Sequence, residues 1–190
     1  SAEGVCNWLV AGNDPSQYCV SCRTTHIIPA LGKAENRTYW ALMEQAKRRL
    51  VYTLLSLGLP APSRDMDAVH GVSFQFLEEV SPQERALTGH DEGIITLNIA
   101  EADDALREKM RTEMHEPYRT LVGHFRHESG HFYWDRLVND TPWIDEYRQR
   151  FGDERQDYEA ALKEHYANPP SDWQLQFISA YAGSHPWEDW

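Results

Sequence analysis

The run His127-Glu128-Ser129-Gly130-His131 constrains this chain more than any other feature. Its two imidazoles are four residues apart, just over one helical turn, so only a helix sends both from the same face. By residue frequencies such a pattern should arise by chance about 0.03 times in a chain of this length. The surrounding sequence supports the helix. Leu121, Val122, Phe125 and Trp134 supply an apolar stripe, and the helical pattern runs from Pro117, a first-turn residue, to about Val138. His115-Glu116-Pro117-Tyr118-Arg119 begins the same way but lacks a second histidine.

Two histidines so placed can converge on one zinc ion. The glutamate between them projects beside the metal, where it can take a proton from metal-activated water. Zinc lowers the pKa of bound water from about 15.7 to about 7. The pattern therefore predicts His127 and His131 as ligands and Glu128 as general base. The plain alternative is two polar residues on an ordinary helix. A third protein ligand must come from elsewhere, because catalytic zinc takes three and leaves one position open. No third histidine follows at short spacing, so a glutamate on a later helix is expected, and Glu188 fits. Asp135, one turn past His131, is either a partner for a ligand imidazole or a surface residue. His124, one turn before His127, lines the cleft or is a satisfied helix residue. Tyr181 and His185 are candidates for stabilising an oxyanion.

Cys19-Val20-Ser21-Cys22, with Cys6 upstream, forms most of a second, structural zinc site. Such sites close with four ligands. His26 or a cysteine from outside this sequence could supply the fourth; three unligated thiols are the alternative. An odd, clustered set of three cysteines does not suit a secreted disulfide framework, which favours the reducing cytoplasm.

The rest of the chain divides at about residue 32. Residues 1–32 read as a partial zinc-ribbon-like lobe, with a short strand at Cys6–Val10 and a turn at Gly12–Pro15. Residues 33–190 read as one main domain. A helix is expected over 37–57, with Tyr39, Leu42, Met43, Ala46, Leu50, Leu54 and Leu57 on its apolar side and Gly58 and Pro60 as stop. Strands are expected around Val72–Phe76 and Ile94–Ile99, with Thr88–Gly93 as the hairpin loop between them. Helices follow over about 102–114, 143–151 and 154–166. Another, capped by Asp172, runs to about Tyr181. Pro186 starts a last one, cut short at Trp190.

Charge narrows the function. The formal net charge is −12, which disfavours nucleic acid as a partner. The first thirty residues carry Arg23 as their one basic group. The cluster Lys47-Arg48-Arg49 reads as a solvated helix face. No apolar run is long enough to span a membrane. Hydrophobic content of 41% and aromatic content of 12% suit a packed globular chain.

Several stretches resemble a known family. They are Cys6-Asn7-Trp8-Leu9-Val10, Asn98–Asp104, Tyr118–Leu121, Gly123–Leu137 and His185–Trp190. Together they resemble a bacterial family of proposed zinc-binding metallopeptidases with an N-terminal zinc ribbon, and the likeness covers nearly the whole chain. The resemblance implies an α+β fold: a mostly helical, zincin-like (gluzincin-like) metallopeptidase domain with a small sheet, plus the ribbon remnant. It implies peptide or protein as substrate. In that family the ribbon begins further upstream and the last helix continues, so the sequence is expected to be trimmed at both ends. The competing reading is a catalytically silent zinc-binding interaction or regulatory protein.

Overall fold

The computed structural model describes residues 3–79, 88–113, 120–168 and 170–190. These fall into two compact units, one from residues 1–107 with 120–132 and one from 108–119 with 133–190. The expected helix start at Pro117 lies outside the described residues.

The first unit is a sheet with helices. Its strands are β1 (Thr25–Ile27), β2 (Ser73–Leu77), β3 (Gly89–Asp91) and β4 (Ile94–Asn98), in the order β1-β2-β4-β3. β2 runs parallel to both β1 and β4, with Phe74 opposite Ile95 and Phe76 opposite Leu97. Side chains alternate across a strand, so these four share one face, and all are buried. Against that face lies Phe125, fully buried, its ring 5.7 Å from Phe74 and 6.0 Å from Phe76.

The expected hairpin is corrected here. β2 and β4 are parallel neighbours, so no tight loop can join them. The hairpin is β3–β4, turned by Glu92 (φ 44°) and Gly93 (φ 81°). Two successive left-handed residues give the turn whose twist matches the flanking strands. A Cβ at Gly93 would sit 2.8 Å from the Gly71 carbonyl oxygen, so the position requires glycine on space as well as backbone angle.

Helix α1 spans Ala34–Ser56. Met43, Ala46, Lys47, Leu50 and Leu54 form its buried stripe, at steps of three and four residues. Lys47 therefore belongs to the core, and the solvated reading of 47–49 is wrong for it. Its ammonium lies 3.2 Å from Glu44 Oε2 and also donates to Thr25 Oγ1. Burial pushes its pKa down, against the pull of the Glu44 carboxylate. Arg48 donates to the Val5 carbonyl, and Arg49 is exposed.

Cys6–Val10 forms no strand. Leu9 is 93% exposed, so the apolar residues there have no sheet face to cover. After β4 come a 3-10 turn at Ile99–Ala102 and helix α2 (Asp104–Glu113). Asp103 Oδ1 accepts the backbone N–H groups of Ala105 and Leu106, a side-chain cap. Helix α3 (Leu121–Leu137) opens with Thr120 Oγ1 accepting from the Gly123 N–H.

The second unit is helical: α4 (Ile144–Phe151), α5 (Tyr158–Ala167) and α6 (Pro186–Asp189). Its core is Trp134, Val138 and Tyr147, with Ile144, Phe151 and Trp187 packed against them. Asp157 caps α5 through the Ala160 N–H, so that helix starts four residues later than 154. The helix expected after Asp172 is absent. Asp172 makes no side-chain cap bond, and only 3-10 turns form, at Trp173–Leu175 and Tyr181–Ser184. Leu175 and Ile178 are exposed, so no buried stripe holds a helix there. Pro186 does open α6. Among the described residues no helix is long and apolar enough to cross a membrane.

Candidate metal centre

Residues 121–132 of α3 carry two faces. Phe125, Ser129 and Phe132 are buried, and Phe125 and Phe132 meet rings of the first unit, with Phe132 at 6.2 Å from His90. His124, His127, Glu128 and His131 occupy the other part of the helix. His127 and His131 bring their Nε2 atoms to 3.2 Å, their rings nearly perpendicular at 86°. Two nitrogens bound at about 2.0–2.1 Å in a tetrahedral shell would lie about 3.3 Å apart. The pair therefore fits one zinc ion without rearrangement. Glu128 is 5% exposed and His131 7%, so the carboxylate and one donor sit in a desolvated setting, while His127 is half-buried.

His124 is bound on both sides, as the helix-residue reading expected. Nδ1 meets Glu101 Oε2, and Nε2 lies 3.2 Å from Glu128 Oε1. Burial pushes the pKa of this ring down, but the hydrogen bonds and charges of Glu101 and Glu128 outweigh it and raise it to about 9. Sequence reasoning gave Glu101 no role. It lies 23 residues before His124, and no spacing rule connects a 3-10 turn to a helix that far along the chain.

Glu188 belongs to the second unit, on the first turn of α6. It is 8% exposed, and its Oε1 accepts a 2.7 Å hydrogen bond from the Tyr158 hydroxyl. Tyr158 was another residue the sequence did not single out; its hydroxyl also lies 3.3 Å from that of Tyr181. Burial and the Glu188 carboxylate raise the pKa of Tyr181, so it stays a neutral phenol. His185 does not suit the oxyanion role. Nδ1 accepts the Trp187 N–H at 3.1 Å, capping α6, and Nε2 faces the Gln156 carbonyl at 3.3 Å. Both ring nitrogens are thus committed to backbone. Asp135 is exposed.

The cysteines also converge. The sulfurs of Cys6, Cys19 and Cys22 all lie within 4.8 Å of one another, Cys6 and Cys19 at 3.6 Å. Sulfurs sharing a tetrahedral zinc at about 2.3 Å would be about 3.8 Å apart, whereas a disulfide would need about 2.05 Å; all three are free. The Cys22 backbone N–H points to Cys19 Sγ at 3.4 Å. Burial pushes the Cys22 thiol up. At Cys6 burial also pushes up, but the Trp8 backbone and the Cys22 and Cys19 sulfurs bring it below the usual range. His26 is exposed and lies outside this group, so the structure does not bring it in as the fourth ligand.

Comparison with known proteins agrees with this chemistry. An uncharacterized protein of Mycobacterium bovis and two of Mycobacterium tuberculosis are each 45% identical over 187 residues, covering 97% of this chain and 54% of theirs. The chain thus spans about half the length of these curated relatives. No solved structure gives a significant match. Residues 1–33 match a zinc-ribbon domain. Residues 36–190 match the family described as "Putative zinc-binding metallo-peptidase", and the chain belongs to that family.

Proposed function

We propose that this protein is a zinc-dependent metallopeptidase in which His127, His131 and Glu188 hold the metal and Glu128 is the general base. The observation that carries the reading is the 3.2 Å approach of the two Nε2 atoms beside the buried Glu128 carboxylate. Glu188 enters it as the third donor by its chemistry: a buried carboxylate with one oxygen oriented by Tyr158. Zinc, when bound, supplies a Lewis acid and makes water a nucleophile near neutral pH. The Glu128 carboxylate takes the proton of the attacking water and delivers it to the leaving amine. The substrate is a peptide or protein, not nucleic acid, in keeping with the acidic composition. The odd, clustered set of three cysteines favours the reducing cytoplasm in this reading, and the cysteine group holds a second, structural zinc.

The test is hydrolysis of a quenched-fluorescent peptide mixture by the zinc-loaded protein and by Glu128→Gln. Losing a general base costs about 10²–10⁴-fold, so the variant should fall by that factor while keeping its zinc. Equal rates in the two proteins would exclude the hydrolase and leave a zinc-binding interaction protein in its place.

A further inference from the structure

A line of hydrogen bonds in the first unit ends on Glu128. The Asn98 backbone N–H donates to Thr88 Oγ1 at 3.2 Å, and the Thr88 hydroxyl donates to Glu101 Oε1 at 2.5 Å. Glu101 Oε2 accepts from His124 Nδ1, and His124 Nε2 donates to Glu128 Oε1 at 3.2 Å. The side chains of Glu101, His124 and Glu128 are 10%, 17% and 7% exposed. The backbone of Glu101 is fixed too, because its carbonyl accepts from Arg107. We propose that His124 is a positioning residue for the general base, held by Glu101 and Thr88 so that it pins one oxygen of Glu128 and leaves the other for proton transfer. This inference rests on the hydrolase reading above.

Three points support it. His124 and Glu128 are four residues apart on α3, the spacing that lets side chains on one helix meet. A glutamate has freely rotating bonds, and a base that drifts by about 1 Å can cost about 10²-fold in rate; a rigid ring bonded at both nitrogens removes that freedom. Finally, a buried row of two carboxylates and a histidine is a poor way to stabilise a fold, since apolar residues of similar volume do as well or better. The row makes sense where a carboxylate must be held.

The test uses the zinc-loaded protein, the same peptide mixture, and the variants His124→Ala, His124→Gln and Glu101→Gln/His124→Gln. Loss of the ring should lower kcat about 10²-fold, with KM within about twofold of wild type and zinc content unchanged. With His124→Gln alone, one end of the new amide can still donate to Glu128, but its oxygen faces the Glu101 carboxylate. In Glu101→Gln/His124→Gln an amide N–H replaces that carboxylate, the donor line is complete again, and kcat should recover about tenfold over the single variant. Wild-type kcat in His124→Ala, loss of zinc from it, or no recovery in the double variant would each overturn the proposal. If His124→Ala does not fold, the two glutamine variants decide alone. Wild-type protein no faster than Glu128→Gln would remove the hydrolase reading and this inference together; turnover by wild type and His124→Ala alike would remove only this inference.

Discussion

His127 and His131 come from adjacent turns of one helix, whereas Cys6 reaches Cys19 across thirteen residues of chain with neither helix nor strand. The supports differ as well. Behind the histidines stands an aromatic core, Phe125 against Phe74 and Phe76. The cysteines are near enough to the buried Lys47–Glu44 pair to feel its charge. A helix fixes donor spacing before any metal arrives, while a loop holds its donors only as well as its neighbours and the metal allow. The first arrangement suits a centre that must keep an open position, and the second suits one that orders a lobe.

The largest expected effect separates the two centres by function. His131→Ala should abolish peptide hydrolysis and lower bound zinc, leaving the cysteine lobe folded. Cys19→Ser should do the opposite, with hydrolysis within a few-fold of wild type and the lobe loosened in hydrogen exchange. Zinc analysis with a peptide assay on both variants checks this. If Cys19→Ser abolished hydrolysis while its α3 zinc stayed bound, the division of labour would be wrong.

Next come the supports. Phe125→Ala removes a fully buried ring and should cost about 3–5 kcal/mol, the larger effect because it strips the floor from under the histidines. Lys47→Met leaves the Glu44 carboxylate buried without its cation, at a cost of about 3 kcal/mol or more. Adding Glu44→Leu to it should restore most of that stability, since apolar pairs replace buried ion pairs well. Urea unfolding of the four proteins measures all three effects. A double variant as unstable as Lys47→Met would show that the pair does more than balance charge.

The same contrast explains what could be read from the sequence. The approach of His127 to His131 was legible because a four-residue step has one meaning on a helix, and the gathering of the three cysteines because their spacing is that of a metal-binding group. Lys47 was misread since three basic residues in a row look solvated, although the phase set by Met43, Ala46 and Leu50 puts position 47 inside. β2 and β4 do pair, but in parallel and not as the expected hairpin, because alternation marks a strand without giving its direction. Glu101 and Tyr158 were invisible, as each meets its partner only through folding, over 23 and 30 residues.

The smallest effect tests how the cysteine side is tied to the sheet. Thr25, on β1, donates from Oγ1 to Glu44 Oε1 at 2.6 Å and accepts from Lys47. Its hydroxyl thus bonds to both members of the buried pair, whereas Phe74 and Phe76 of β2 offer Lys47 only their rings, at 5.5 and 5.7 Å. Thr25→Val keeps the shape and the β-branched preference of the strand but removes the hydroxyl. The carboxylate keeps Lys47 and the Trp40 indole N–H, which lies 3.4 Å from Glu44 Oε1, so the loss should be about 1–2 kcal/mol, a charged hydrogen bond rather than a stranded ion. At this chain length that corresponds to a fall in Tm of about 2–8 °C. Zinc content and peptide hydrolysis should not change, because Thr25 touches neither donor set. A drop in zinc without a drop in Tm would mean that the buried pair tunes the thiols more than it holds the fold, and the contrast between a helix-built and a lobe-built centre would then be one of electrostatics as well as of architecture.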